Sequence, residues 1–412
     1  MTIVLKGGTL IDGTGRDPVP DTTVVIEDGR IAAVGSETEV DWSPGAPVID
    51  VAGRTILPGF VDVHCHMIAY EYDLQKRLTT PASLTVLKSI ENLRTTLAAG
   101  VTTVRDAGGA DLGLKRGVEQ GLVPGPRLFI AIVPLTQRGG LFDLNLASGA
   151  ELDMTGMLGR IRHFTGGVES MRQAARELIL AGADVIKVSV TGSVYETPGQ
   201  IPAPQFTPQE IDAAIYEAQA AGKTTMTHCE GGPGLRNAVE AGVDSIDHGF
   251  YLTDEDCQLM IDHGTFLVPT LACNYGILKV IERDPEAGIR EQSVRVAREL
   301  IADHAASFRK AAEMGVKIAM GSDAFGWDQG ENLFELELMV DAGLTPMEAI
   351  VAGTRSGAEL LGVEDELGTL VPGKVADVLV VDGDPLDDIS ILQDRDNLLM
   401  IMKAGEVFKD EV

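Results

Sequence analysis

His64 and His66 are separated by one residue and close the apolar run Gly59-Phe60-Val61-Asp62-Val63. Residues i and i+2 of a strand share a face. Both imidazoles therefore project together, where one metal ion can take a lone pair from each. Cys65 points to the other face and is not counted as a ligand. A lone His-x-His occurs often by chance, so its weight comes from its company. Lys187 lies within the run 184–190, His228 closes 224–228, His248 closes 244–248 and Asp323 closes 317–323. Singly, each has a bland reading: a hydrogen-bonded histidine, a salt-bridged core lysine, a helix-capping aspartate. Jointly, polar groups at the ends of successive strand-like runs point to one shared site.

Those runs must be positioned by a larger frame. Helix-like stretches at 170–181, 208–221 and 290–314 lie between them. Strand, loop and helix in alternation predict a parallel α/β architecture. The strand-like segments 60–66, 102–106, 127–134, 185–190, 224–228, 245–248, 266–270 and 317–323 number eight, as a (β/α)8 TIM barrel requires. The singled-out residues fall at the carboxyl ends of the first, fourth, fifth, sixth and eighth, where such barrels carry their active sites. Residues 1–57 show hairpin patterning broken by Asp12-Gly13, Asp28-Gly29 and Ala52-Gly53, and 364–412 resume it, with a turn at Lys403-Ala404-Gly405-Glu406. Neither piece has apolar residues enough for its own core. The expectation is a barrel over 58–363 beside a small β-sandwich formed from both chain ends.

The stretch Leu57-Pro58-Gly59-Phe60-Val61-Asp62-Val63-His64-Cys65-His66 resembles the opening strand of the amidohydrolase superfamily of metal-dependent hydrolases. Gly7-Gly8-Thr9-Leu10-Ile11-Asp12-Gly13 and Val25-Ile26-Glu27-Asp28-Gly29-Arg30-Ile31 near the start agree with it. So does Gly368-Thr369-Leu370-Val371-Pro372-Gly373-Lys374-Val375-Ala376-Asp377 near the end. The resemblance spans nearly the whole chain. It implies that His64, His66 and Asp323 hold the more buried of two divalent ions, and that His228 and His248 hold the other. It also implies that Lys187 bridges them as a carbamate formed with carbon dioxide. Such a step needs an uncharged amine, which burial and a nearby cation favour. Imidazole and oxygen donors suit zinc, with manganese, cobalt or iron as substitutes. The implied reaction is attack of a metal-bridging hydroxide on an amide or peptide-type C–N bond, with Asp323 as general base and then general acid.

Thr227-His228-Cys229-Glu230-Gly231-Gly232-Pro233-Gly234 through Asp247-His248-Gly249 is similar to the prolidase-like and Xaa-Arg dipeptidase group, which implies dipeptides or N-acyl amino acids as substrates. Glu230 stands where that group tends to have a tyrosine, and Leu141 follows Gly139-Gly140 where it tends to have a histidine. Both positions help that group recognise a carboxylate. Arg138 is a replacement partner for a carboxylate, and Tyr195 is placed to face the scissile group. Glu230 would repel a carboxylate and attract a cation. Carboxylate-free amides, carbamates and ureas are thus an alternative, with the apolar loop 141–146 as a wall. Two further alternatives are a one-metal deaminase or cyclic-amide hydrolase, which would not need Lys187, and a non-catalytic scaffold, which would have lost ligands.

Composition bounds the rest. At 412 residues the chain accommodates a barrel and a small second unit. No apolar run is long enough to span a bilayer, and no basic-then-apolar leader opens the sequence, so a cytoplasmic location is expected. The net charge of −29 argues against binding nucleic acid or anionic membranes, and a small-molecule substrate is what the resemblance implies. A homo-oligomer is expected from the resemblance. Cys65, Cys229, Cys257 and Cys273 lack CxxC spacing and read as small buried residues. His163, His263 and His304 read as surface or structural.

Overall fold

Aliphatic runs at the two chain ends meet in one sheet, and the runs between them build two others. The computed structural model describes residues 2–68, 71–141, 143, 164–195, 203–325 and 329–412. Strands β1 (Thr2–Leu10), β2 (Val19–Glu27) and β3 (Arg30–Gly35) pair antiparallel, while β4 (Val48–Asp50) and β5 (Thr55–Pro58) run parallel to β1. Next come β6 (Phe60–His66), β7 (Val101–Asp106), β8 (Arg127–Ile130), β9 (Val185–Ser189), β10 (Thr224–Gly231), β11 (Ser245–Tyr251), β12 (Phe266–Val268) and β13 (Ala324–Phe325). Last are β14 (Val378–Val381), β15 (Leu398–Lys403) and β16 (Glu406–Asp410). The orders are β16-β15-β14-β5-β1-β2-β3, with β4 on β1, then β12-β11-β10-β9 and β13-β6-β7-β8. The last two sheets are wholly parallel.

The two parallel sheets are tied at both edges. Beyond β8, Leu135 pairs with Val188 of β9. Beyond β12, Leu267 pairs with Ile318, and the Val63 N–H donates to Met320 O (2.9 Å). Helices follow the strands, as parallel connections require. The helix Pro208–Ala220 shows why they form where they do. Thr207 and Glu210 make a reciprocal capping box at its start, Pro208 opens it, and Ile211, Ala214, Ile215 and Ala218 form the buried stripe at i, i+3, i+4 and i+7. Among the described residues no helix is long and apolar enough to cross a membrane.

One expected strand changes character. Residues 317–323 were expected to be extended throughout, yet regular pairing with β6 begins only at β13. The Ser322 N–H donates to the buried carboxylate of Asp62 (3.1 Å) instead of to a neighbouring strand, and Asp323 has φ +52°. A left-handed residue cannot continue a ladder. Gly321 lies against β6 so closely that a Cβ there would come within 2.7 Å of His64 Cβ.

Both chain ends share one core. Ile3, Leu5, Val24 and Ile26 cluster with Val378, Val380, Met400 and Met402. The Asp28-Gly29 turn has φ +49° and +80°, and the Ala404-Gly405 turn has +51° and +78°, so both are left-handed two-residue hairpin turns. They meet back to back, because a Cβ on Gly29 would lie 2.6 Å from Ala404 O. Gly29→Ala is therefore expected to cost about 1–3 kcal/mol through strain and collision, read as a lower urea midpoint with an unchanged m-value.

Candidate metal centre

Parallel register brings distant side chains to one end of the sheets. Met226 lies opposite Lys187 and Cys229 opposite His248, which aligns β9, β10 and β11, and Phe325 lies opposite His66, which aligns β6 with β13. There the structure gathers His64, His66, Lys187, His228, His248 and Asp323. Lys187 Nζ is 3.2 Å from His64 Nε2. Asp323 Oδ1 is 3.5 Å from His64 Nε2 and 3.3 Å from His66 Nε2. The His228 and His248 rings are 4.4 Å apart, and those of His64 and His248 4.9 Å. Donor atoms of His64, His248 and Asp323 lie within 4.8 Å of one another.

Hydrogen bonds aim the imidazoles. Nδ1 of His64 sits 2.7 Å from Asp247 Oδ2, and Nδ1 of His66 sits 2.6 Å from Gly108 O. Carboxylate and carbonyl oxygens only accept, so each Nδ1 carries the proton and each Nε2 turns a lone pair into the cluster. Nε2 of His228 and Nε2 of His248 are buried and have no hydrogen-bond partner. Orphaned nitrogens at a cost of about 1–3 kcal/mol each, facing a carboxylate and two further lone pairs, fit a divalent cation of the zinc type. The charges agree. Burial holds His64 and His248 well below the ordinary imidazole pKa, and the neighbouring Lys187 and His228 push the same way. Burial also lowers the Lys187 ammonium, against the pull of Asp247 and Asp323. For Asp323 burial works against the charge, but His66 and His64 outweigh it and hold the carboxyl low.

Beneath the cluster is a polar floor that the sequence did not announce. Arg105 is fully buried. Its Nε donates to Val63 O (2.5 Å), and its Nη2 donates to Ser245 Oγ (3.1 Å) and Asp247 Oδ2 (3.0 Å). Ser245 Oγ donates to Asp247 Oδ1 (2.5 Å). Charged residues inside the strands 101–106 and 245–248 were the available signal. Strict alternation hid Asp247, because it turns residue 247 away from the face of His248. The structure breaks alternation there: His248 has φ +85°, and both side chains serve the site.

His304 is likewise better placed than the sequence suggested. It is buried on the helix Glu291–Met314, its Nε2–H donates to His248 O (3.0 Å), and its Nδ1 accepts from Asn274 Nδ2 (3.2 Å). Asn274 Oδ1 in turn accepts from the Tyr195 hydroxyl (2.5 Å). Tyr195 therefore spends its hydroxyl on this chain, with Cys273 Sγ 3.5 Å away. Arg138 is exposed, its guanidinium over the Phe164 ring at 4.4 Å and 3.9 Å from Asp143. Leu141 is buried, its N–H donating to Gln205 Oε1 (3.2 Å). Glu230 is buried, with Oε1 3.3 Å from His228 Nε2. His263 is exposed in the last turn of its helix. His163, Phe142 and residues 144–146 lie outside the described residues. The four cysteines are buried and unpaired.

Comparisons with known proteins bear on this site. The amidohydrolase family model matches residues 55–408. The chain is 28% identical over 421 residues to the ochratoxinase of Aspergillus niger, covering 98% of this chain and 86% of that one. It is similar to the crystal structure of a prolidase complexed with N-methylphosphonate-L-proline, at 33% identity and TM-score 0.91 over 100% of both chains. A Xaa-Pro dipeptidase with bound methionine in its active site is also similar, at 30% identity and TM-score 0.88 over 99% of this chain and 100% of that one.

Two outcomes are expected. Asp247→Asn weakens the hold on the His64 Nδ1 proton and on Arg105, so zinc affinity, read by competition with a chromophoric chelator, falls about 10- to 100-fold. His304 has its pKa lowered to about 4 by burial. A histidine kept neutral in the folded state stabilises it fully above the unfolded pKa of about 6.5, and that contribution is lost as pH falls towards 4. His304→Gln keeps a donor and an acceptor but cannot titrate. Chemical denaturation of the two proteins at pH 7 and pH 4.5 should show the wild type losing ~2–3 kcal/mol more.

Proposed function

This chain belongs to the amidohydrolase family, hydrolases of carbon–nitrogen bonds, and on that premise we propose that it is a binuclear metallohydrolase of dipeptides or N-acyl amino acids. The observation that carries this is the convergence of six side chains from five separate segments, with two buried imidazole nitrogens left unpartnered. We propose with it that the two parallel sheets, tied at both edges, are halves of one (β/α)8 barrel over residues 58–363. The ends, 1–57 and 364–412, would then make the small sandwich-like second unit around their shared core.

In this reading His64, His66 and Asp323 would hold one divalent ion, His228 and His248 would hold the other, and Lys187, as a carbamate, would supply oxygen donors between them. The Lys187 amine, favoured in its neutral form by burial, would add to carbon dioxide with loss of one proton, which would give a carboxylate-like oxygen donor. The bound ions would supply polarisation of the scissile carbonyl and an acidified water. Asp323 is ionised at neutral pH and only partly covered, so it can take the proton of the attacking water and deliver it to the leaving amine. Asp247, through His64, and Thr270, 2.8 Å from Nδ1 of His248, fix the rings while this happens.

A second reading, hydrolysis of carboxylate-free amides, carbamates or ureas, is favoured by one feature: the buried Glu230 beside His228 is hostile to a substrate carboxylate. A hydrolysis screen of the zinc-loaded enzyme separates the two. Dipeptides, N-acyl amino acids and carboxylate-free amides would be compared, with Asp323→Asn as the blank. Turnover confined to substrates with a C-terminal carboxylate supports the first reading, and turnover without one supports the second. Asp323→Asn should lower kcat by about 10²–10⁴-fold with unchanged folding; near-wild-type kcat would refute its proton-transfer role.

A further inference from the structure

Glu230 follows His228 by two residues on β10 and shares its face. Its position is set from two sides: its own N–H donates to Thr191 Oγ1 (3.0 Å), and its Oε1 accepts from Val194 N (3.1 Å). Only 1% of the residue is exposed, and Oε2 has no partner. No lysine or arginine pairs with it among the described residues. Its neighbour His228 Nε2 does not meet hydrogen-bond geometry with it. A buried carboxylate oxygen left without a hydrogen-bond donor is costly, and Oε2 is open to a donor from a bound molecule. Glu230 stands outside the group His64, His248 and Asp323 whose donors lie within 4.8 Å of one another. Its Oε1 is taken by Val194 N, so Oε2 is the oxygen left open to a bound molecule.

We propose that Glu230 binds a protonated amine of the substrate, making the preferred substrates those with a free ammonium next to the scissile carbonyl: dipeptides and aminoacyl amides, not N-acyl amino acids. This rests on the amide-hydrolase reading above. The geometry suits it, because the nitrogen of an aminoacyl group is two bonds, roughly 2.5 Å, from its carbonyl carbon, and Glu230 adjoins a histidine facing the reacting end. An N-acyl amino acid offers only an uncharged alkyl group there.

Matched pairs differing only in the amine test the proposal: L-alanyl-L-proline against propionyl-L-proline, and L-alanyl anilide against propionanilide. The wild-type enzyme, zinc-loaded, should show kcat/KM about 10- to 100-fold higher for the amine-bearing member, the range expected for a charge-assisted hydrogen bond. In Glu230→Gln, which keeps an acceptor for Val194 N, that ratio should fall towards one. A wild-type ratio near one, or a ratio unchanged in Glu230→Gln, overturns the proposal. Should none of the four be hydrolysed, the amide-hydrolase reading is at fault. Calorimetric affinities of phosphinic dipeptide analogues with and without the amine then decide, equal affinities overturning the assignment. Metal content of Glu230→Gln should equal that of the wild type; loss of an ion would make Glu230 a ligand and overturn it as well.

Discussion

The carboxylate of Asp247 is the contact on which the centre rests. It accepts from His64, Arg105 and Ser245, joining β6, β7 and β11 below the cluster. Arg105 is fully buried, and burial lowers its pKa even with Asp247 beside it. A buried guanidinium left alone would cost about 3–5 kcal/mol, so the two charges fix each other's positions. The same oxygen that anchors Arg105 fixes the tautomer of His64. Floor and ligand are thus one hydrogen-bonded unit, and the strands carrying them cannot slide without breaking it.

Above that floor the backbone is strained where side chains must turn inward. Ile132, His248, Thr270 and Asp323 all have φ between +52° and +85°. Left-handed backbone at such residues costs of order 1–3 kcal/mol each, and it persists only because surrounding contacts hold it. His248 O is held by His304 and Asp323 N–H by His64 O (2.7 Å). Asp62 accepts from both N–H and Oγ of Ser322 and from Asn332, closing the same end. The strain aims consecutive residues, Asp247 and His248, at one site, which a regular strand cannot do.

The helix Glu291–Met314 gives this end a brace. Its start holds Tyr195, since Arg290 and Ser293 donate to Tyr195 O at 2.9 and 3.1 Å. Its middle holds β11 through His304 to His248 O and Ser307 to Gly249 O (2.7 Å). The segment after β9 and the strand that carries one imidazole therefore share a single support. A chain of hydrogen bonds runs from the Tyr195 hydroxyl through Asn274 and His304 to His248 O.

Much of this was legible in the chain. Local pattern alone determined β6 at Phe60–His66, the helices near 168–180, 208–220 and 291–314, the β15–β16 hairpin and the level at which His64, His66, Lys187, His228 and His248 emerge. Period, capping residues and turn residues act over a few positions and can be read there. The tertiary structure alone decided the rest. Arg105 and Asp247 become a pair because β7 and β11, 142 residues apart at these positions, face each other across the floor. His304 becomes a support because a helix folds back over β11. Arg138, read as a carboxylate's partner, lies over Phe164 in solvent, while Glu230, read as an odd substitution, is buried with a free oxygen. Charge pairing and burial depend on what packs opposite a residue, and that is set by the fold and not by its neighbours in sequence.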